Sequence, residues 1–467
     1  MKKFMKLTKI TFLAITLFSL FSCVDDDDNG NIIDNSIPNS IIDFVSNNAE
    51  YSILRAAIEQ TGLTPALAGN GNFTVFAPDN EAFDIFLGGT ALEDVDNDVL
   101  TQVLLNHILS ISVTSDQLTT GYFKNLATEA STGATLDMFI DTTNGVVING
   151  QSTVTTADID VDNGTIHAVD TVIDLPTIVT FATSNSDLSA LVAALTDEGN
   201  MTFTDLLGDT MQDLTVFAPT NAAFDAFLDG TDLSAVDNDV LAQLLSNHVL
   251  PDTVALSTSL SNSYVNTAAT FNNDASIPLS LYINTDSGIA LNGIANVTLA
   301  DVVAVNGVIH IVDTVIGLPD VTTFALADPN FSSLVAALTA DPSFTFVDAL
   351  QTPNGTAPAP FTIFAPVNTA FDALLADLEL TELSEIPVAT LAATLELHVV
   401  PGVNVRAEDL PGLDGAAVTT LGGTNINVQA DPAAIIDPDA GVNPILTTNV
   451  QASNGVIHAI GRVIRDL

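Results

Sequence analysis

This sequence has little positive charge, a single cysteine and no tryptophan. One cysteine excludes a disulfide framework within the chain, so packing and hydrogen bonds alone must hold any core. Nine lysines and arginines stand against 57 aspartates and glutamates. This balance excludes a nucleic-acid function, because phosphate binding depends on clustered basic side chains. The lack of tryptophan, with only four tyrosines, also removes most of the usual platforms for stacking sugar rings.

Apolar residues are abundant and make up 47% of the 467 positions, which is ample for several hydrophobic cores. Acidic residues are spread along the chain. Cleavage before Cys23 would remove four of the nine basic residues and no acidic one, leaving a formal net charge of about −52. Two interpretations of this acidity stay open: solubility, and association with cations at the surface, including weak calcium binding. We expect no other cofactor.

The N-terminus has the layout of a secretory signal over residues 1–22. Four lysines lie among the first nine residues, and the apolar run from Ile10 to Leu20 is shorter than the ~20 residues that a membrane span needs. Cys23 follows Leu20-Phe21-Ser22, which resembles the bacterial lipobox, although Phe21 is bulkier than the small residue usual there. We therefore expect lipidation of Cys23, and membrane attachment through this lipid only.

Residues 23–38 are predicted to form an acidic flexible stalk, because the adjacent carboxylates of Asp25 to Asp28 repel one another. An acidic run directly after a lipidated cysteine also resembles the signal that places lipoproteins on the outer face of the outer membrane. The alternative is a soluble spacer. We expect an outer-membrane lipoprotein that faces the cell exterior, with a periplasmic orientation left open.

Two signatures occur three times each. The first begins at residues 73, 214 and 361 and reads FTVFAPDNEAF, LTVFAPTNAAF and FTIFAPVNTAF. The second begins at residues 163, 306 and 454 and reads NGTIHAVDTVI, NGVIHIVDTVI and NGVIHAIGRVI. A period of about 140 residues fits one domain per repeat, since solenoid repeats run at roughly 20 to 50 residues. The sequence therefore predicts three modules, at residues 39–177, 178–320 and 321–467.

The first signature predicts a short strand that a proline ends and a helix that an asparagine caps. The prolines are Pro78, Pro219 and Pro366, and the capping asparagines are Asn80, Asn221 and Asn368. Asp79 and Thr220 could instead contact a ligand, but Val367 in the third copy favours a structural role. Upstream, apolar residues at offsets of 7, 10 and 14 predict one face of a single helix. These residues are Phe44, Tyr51, Leu54 and Ile58, then Phe181, Leu188, Leu191 and Leu195, then Phe324, Phe331, Leu334 and Leu338.

The second signature predicts a hairpin at Asn-Gly followed by a strand, because both residues tolerate positive φ. Its glycines are Gly164, Gly307 and Gly455. Asp158, Asp160 and Asp162 before the first copy look like a calcium loop, but the glycine comes one place late and the other copies have nothing similar. We expect no dedicated metal site there.

All six histidines recur at two places in the module. His107, His248 and His398 lie on a further predicted helix, which reads VLTQVLLNHIL in the first copy and VLAQLLSNHVL in the second, and His167, His310 and His458 lie on the final strand. Zinc needs three or four ligands and a catalytic triad needs a positioned nucleophile, and neither accompanies the histidines in every copy. We interpret them as neutral imidazoles that bond to the backbone, and we expect no catalytic residue.

The two signatures, with NHVL at Asn247 between them, resemble the fasciclin (FAS1) family, and the resemblance covers residues 39–467. It implies an α+β fold of three tandem fasciclin-like modules, each a β-wedge of small sheets with a helical cap. It also implies adhesion outside cells and contacts with protein or glycan, not catalysis. Some vertebrate members engage integrin through a tyrosine-histidine pair, but the residue before each histidine here is Asn106, Asn247 or Leu397.

These observations favour a lipid-anchored surface protein that presents three modules for adhesion or scaffolding, toward an unidentified protein or matrix partner. The alternative is an accessory glycan-binding lipoprotein of a polysaccharide uptake system. The scarcity of aromatic platforms counts against that alternative.

Overall fold

The computed structural model describes residues 39–196 and 207–466. The predicted signal segment, Cys23 and the acidic stalk lie outside the described residues. Those that are described belong to one compact unit and contain three copies of the same arrangement of strands and helices.

In the first module, a mixed sheet carries short helices on one side. Its helices are α1 (Ile41–Asn47), α2 (Ser52–Gln60), α3 (Thr64–Ala68), α4 (Asn80–Leu87) and α5 (Asn97–Asn106). Its strands are β1 (Phe73–Pro78), β2 (Ile108–Leu109), β3 (Gly121–Thr128), β4 (Thr135–Asp141), β5 (Val147–Ile148), β6 (Ser152–Val161) and β7 (Gly164–Val169). Strands β1 and β7 pair in parallel and the other neighbours are antiparallel; one pair, Leu109 with Asn125, closes the sheet into a barrel.

The second module repeats this order. Its described helices are α6 (Ile178–Ser184), α7 (Ser189–Thr196), α8 (Asn221–Leu228) and α9 (Asn238–Ser246). Its strands are β8 (Leu214–Pro219), β9 (Val249–Leu250), β10 (Ser263–Thr270), β11 (Pro278–Asn284), β12 (Ala290–Leu291), β13 (Ala295–Ala304) and β14 (Gly307–Val312). The parallel pair is β8 with β14, and the sheet runs from β10 at one edge to β9 at the other.

The third module follows the same plan with longer connections. Its helices are α10 (Val321–Ala327), α11 (Ser332–Leu338), α12 (Phe346–Leu350), α13 (Asn368–Asp377) and α14 (Val388–Glu396). Its strands are β15 (Phe361–Pro366), β16 (Val399–Pro401), β17 (Ala417–Thr419), β18 (Asn425–Ala430), β19 (Ala433–Ile436), β20 (Val442–Ala452) and β21 (Gly455–Ile460). The mixed α+β fold predicted from the resemblance is thereby confirmed.

The strand of the first signature separates two hydrophobic clusters, because alternate side chains point to opposite faces of a strand. Val75 of β1 joins the helices in one cluster, together with Phe83 and Leu100. Phe76, one residue later, joins the strands in the other cluster. Strand β8 divides its module in the same way between Val216 and Phe217. Each module is therefore a wedge with a helical side and a strand side.

The prediction of one opening helix is wrong, because the chain breaks into two helices there. Asn48, Asn185 and Asp328 have extended backbone between α1 and α2, α6 and α7, and α10 and α11. Asn185 accepts a hydrogen bond from the Asp187 amide at 3.0 Å through its side chain. Such local side-chain bonds compete with the helix and start a new turn. Both half-helices still pack on the same core, so the apolar positions were found correctly.

The prediction that asparagine caps its own helix is also wrong. The N-cap of α4 is Asp79, whose carboxylate accepts from the Ala82 amide at 2.9 Å. Asn80 reaches back to α2, where it accepts from the Ile53 amide at 2.9 Å and donates to the Ala49 carbonyl at 3.0 Å. Asn221 and Asn368 make the same two bonds to α7 and α11 in their own modules. The asparagine therefore caps the neighbouring helix across the module.

No single helix among the residues described is long and apolar enough to cross a membrane. One bent pair, Ile178–Ser184 with Ser186–Thr196, passes that test on combined length and composition.

Candidate functional site

The histidines on the final strands connect that strand to the loop after the second strand. His167 lies on β7 and its side chain is fully buried beside Phe76, with ring centroids 5.5 Å apart. Its Nε2 lies 3.1 Å from the Val113 carbonyl, and its Nδ1 accepts from the Asp158 amide at 3.2 Å. Because Nδ1 accepts, Nε2 must carry the proton and donate.

The same connection recurs in the other two modules. His310 Nε2 donates to the Ala255 carbonyl at 2.9 Å, and His458 Nε2 donates to the Val405 carbonyl at 2.8 Å. His310 Nδ1 accepts from Asp301, as in the first module, whereas His458 Nδ1 is buried without a hydrogen-bond partner. Burial lowers the pKa of all three imidazoles, which keeps them neutral.

The histidines at the C-terminal ends of α5, α9 and α14 bond to the segment that follows the final strand of each module. His107 Nδ1 lies 2.7 Å from the Val103 carbonyl one turn earlier, and its Nε2 accepts from the Ile173 amide at 2.9 Å. Because Nε2 accepts, the ring proton must lie on Nδ1, which donates to the Val103 carbonyl. His248 and His398 make the equivalent bonds. Burial lowers the pKa of each of these three imidazoles to about 4.

Five of the six imidazoles thus spend both ring nitrogens on backbone groups, which leaves neither nitrogen to bind a metal or move a proton. Within residues 39–196 and 207–466 no cluster of three or more histidine, cysteine, aspartate or glutamate side chains could hold a metal ion. Asn106 and Asn247, which precede two of the histidines, are fully buried and donate to backbone carbonyls of the module's last segment. The positions that match the integrin-binding pair are therefore inaccessible in these two modules.

The second signature joins both ends of each module. Asn163 accepts from the Ile41 amide at 2.9 Å and donates to the Leu67 carbonyl at 2.7 Å, so one amide side chain ties α1 and α3 to the final hairpin. Asn306 and Asn454 make the equivalent bonds. The predicted hairpin is present. Its two-residue turn is Asp162-Asn163, because Gly164 is already the first residue of β7 and pairs with Val161.

The glycines of this signature are required by close approach. A Cβ on Gly164 would lie 2.1 Å from the Phe73 carbonyl oxygen, and one on Gly307 would lie 2.1 Å from that of Leu214. At Gly455 the distance to the Phe361 oxygen would be 2.4 Å. Real Cβ atoms are not found this close to backbone oxygen, so only glycine fits beside the parallel strand.

Asp158 belongs to the segment that resembles a calcium loop in sequence, and in the structure it has a structural role. It has a positive φ of 61° in a bulge of β6, and its carboxylate accepts from both the amide and the hydroxyl of Ser115 at 2.6 Å. Asp301 occupies the same place in the second module and accepts from the amide of Ser257 at 2.7 Å. These carboxylates hold the loop that the strand histidine also contacts.

Two junctions between successive modules repeat the same aromatic contacts, which sequence reasoning missed. Tyr122 contacts Phe139 of its own module and Phe181 of the next, with ring centroids 5.0 and 5.5 Å apart. Phe139 also belongs to the core of the second module. At the second junction the corresponding rings are Tyr264, Tyr282 and Phe324, with Tyr264 lying 4.8 and 5.6 Å from the other two.

The matches with known proteins agree with this architecture. The fasciclin domain matches residues 49–176, 186–319 and 329–466, which is more than half of the chain. The chain therefore belongs to the fasciclin family, as its signatures predicted.

Individual relatives are known from animals and bacteria. The chain is 27% identical to transforming growth factor-beta-induced protein ig-h3 of Sus scrofa over 442 residues, covering 92% of this chain and 58% of that protein. It is 26% identical to human periostin over 446 residues, covering 92% and 47%. It is 36% identical to protein sll1483 of Synechocystis over 137 residues, covering 29% and 72%. The chain thus spans about half the length of the first two relatives.

Proposed function

We propose that this protein is a lipid-anchored protein of the outer membrane, facing the cell exterior, that presents three fasciclin modules for adhesion or scaffolding. One observation carries the proposal: the six histidines and the hairpin asparagines Asn163, Asn306 and Asn454, which recur in every module, are buried and bonded to backbone inside it. The outer surface, rather than an internal reactive centre, is then what each module offers to a partner. Membership of the fasciclin family, shared with ig-h3 and periostin, supports the same role.

The second candidate function, glycan binding, has one observation in its favour. An open cleft of about 650 Å³ lies in the second module between the loop after β9 and strand β10. Leu260, Val265, Ser261 and Asn266 are among its lining residues, and none of the lining residues is aromatic. Hydroxyl and amide groups suit a sugar, but the cleft offers no ring for stacking. A glycan array probed with the protein would separate the two candidates.

We expect Cys23→Ala to release the protein from the membrane. Lipid attachment requires the cysteine thiol, and the apolar run from Ile10 to Leu20 is too short to span the membrane in its place. Expression in a Gram-negative host, followed by fractionation and labelling with a fatty-acid analogue, measures this directly. Wild type should carry the label and sediment with membranes. Equal labelling of the variant would contradict lipidation at Cys23.

Adhesion by this surface should depend on divalent cations. Each of the five basic residues in the described chain has a carboxylate within 4.0 Å, so these basic side chains are already paired within the protein. An acidic partner surface is then repelled, and screening over ~8 Å at physiological salt removes only part of that repulsion. Millimolar calcium should bridge carboxylates and strengthen binding of protein-coated beads to cells.

The control for this measurement is chelator at equal ionic strength, with sodium replacing calcium. Binding that is the same in both buffers would assign the acidity to solubility alone.

A further inference from the structure

The two junctions between modules have hydrogen bonds at the same positions as well as the same rings, although the tyrosine hydroxyl accepts at the first junction and donates at the second. Tyr122 accepts from the Asn185 amide group at 3.1 Å across the first junction, and Tyr264 donates to the Asp328 carboxylate at 2.9 Å across the second. Burial, followed by the nearby Asp328 carboxylate, raises the pKa of Tyr264, so its hydroxyl keeps the proton that it donates.

Backbone contacts repeat in the same way. The Val305 amide donates to the Pro176 carbonyl at 2.8 Å, and the Ser453 amide donates to the Pro319 carbonyl at 2.7 Å. Each bond ties the final hairpin of one module to the segment that enters it from the previous module. Because the ring contacts, the tyrosine hydrogen bonds and the backbone bonds lie at corresponding positions, the two junctions share one docking arrangement.

One position differs between the junctions in its charge. At the second junction the Ser280 hydroxyl accepts from the backbone amide of Gln451 at 2.9 Å. At the first junction the corresponding acceptor is the Asp137 carboxylate, which accepts from the Val303 amide at 2.6 Å and is 3% exposed. A buried carboxylate needs a cationic partner, because an uncompensated charge in the protein interior is strongly unfavourable.

Lys124 supplies that partner and also crosses the junction. Its Nζ donates to Asp137 at 2.6 Å and to the Asp301 carbonyl of the second module at 2.9 Å. Lys124 is one of only five basic residues that follow Cys23. The first junction therefore contains an ion pair between a buried carboxylate and a half-exposed lysine, and this pair bonds to two backbone groups of the neighbouring module. The second junction has a neutral hydroxyl in place of the carboxylate.

We propose that Lys124 and Asp137 form a charge lock that fixes the first module on the second. With the lysine present, the carboxylate is compensated and the docked orientation is stable. Without the lysine, Asp137 stays charged only where water reaches it, which favours separation of the modules, so the first junction opens while the second stays closed. The lock sets the direction in which the first module presents its surface relative to the other two.

The test uses the full chain with Cys23→Ala, so that introduced cysteines are the only thiols. Spin labels at Asp98→Cys and Asp239→Cys span the first junction, and labels at Asp239→Cys and Ala389→Cys span the second; all three positions are exposed. Pulsed electron paramagnetic resonance then gives the distribution of distances across each junction.

We expect Lys124→Met to broaden the distribution across the first junction about twofold or more, and to leave the second unchanged. Adding Asp137→Ser, which copies the hydroxyl of the second junction, should restore the wild-type width. Arg55→Met is the matched control, because it removes an exposed ion pair with Glu59 from the same module. It should change neither distribution.

Two results would overturn the proposal. A wild-type width across the first junction in Lys124→Met would show that the ion pair does not hold it. Equal broadening across both junctions in Lys124→Met, with no rescue by Asp137→Ser, would show a general loss of structure.

Discussion

Replacing Gly307 with alanine should destabilise the second module by about 3 kcal/mol or more, at or above the upper end of the usual cost of overpacking. The added Cβ would lie 2.1 Å from the Leu214 carbonyl oxygen. That oxygen belongs to β8, which pairs with β14 in parallel and is buried along its whole length. The contact is with backbone, so no side chain can rotate away, and the two central strands must move apart.

Gly317→Ala is the matched control, because a Cβ there would meet nothing within 4 Å and its φ is not positive. It should change the unfolding free energy by no more than about 0.5 kcal/mol. Urea-dependent hydrogen exchange of peptides from β8 and β14, read by mass spectrometry, localises the effect to the second module. Similar protection of these strands in both variants would refute the close-approach argument.

The sequence predicts those parts of the fold that depend on neighbours along the chain. The strand that Pro219 ends, the hairpin before Gly307 and the apolar face with Phe181 and Leu188 all follow from local patterns. The paired use of histidine was also visible, because all six histidines recur at two fixed places in the repeat. What these patterns cannot give is the partner of a side chain that bonds to a distant segment.

The asparagines show this limit. Asn80 lies where a cap is expected, yet it caps a helix that begins 28 residues earlier, and the true cap is Asp79. A second Asn-Gly signal was overlooked: Asn149 and Gly150 have φ of 51° and 66°, so both central residues of that turn have the positive φ that the motif favours.

The junctions were missed for a different reason. One corresponding pair of hydrogen-bond acceptors, Asp137 and Ser280, does not share a residue type, so no motif links the two. Tyr122 and Tyr264 do recur, but the sequence alone does not show that their rings contact the next module. The available signal was scarcity: in a chain with five basic residues after Cys23, each one is expected to have a specific partner. Lys124 meets that expectation at the first junction.

The second large effect expected is a loss of stability in mild acid. The pKa values of His107, His248 and His398 are lowered from 6.5 to about 4 by burial. Between these values the unfolded chain binds a proton at each histidine and the folded chain does not, so stability falls as pH falls from 6.5 to 4. Each of the three histidines should lower the free energy of unfolding by about 2 kcal/mol between pH 7 and pH 5. The loss should reach about 3 kcal/mol once the pH is below both pKa values.

His248→Gln isolates one of these contributions. Glutamine does not titrate, so the variant should be less stable at pH 7 because the bonds to Leu244 and Ile316 are impaired, but its second module should lose about 2 kcal/mol less than wild type between pH 7 and pH 5. Titration of the many carboxylates is common to both proteins and cancels in the difference. Urea unfolding at the two pH values, read by hydrogen exchange in the second module, measures it. Parallel pH dependence in the two proteins would mean that His248 takes up a proton as readily in the folded state as in the unfolded state, and its Nε2 could then not keep accepting from the Ile316 amide in mild acid.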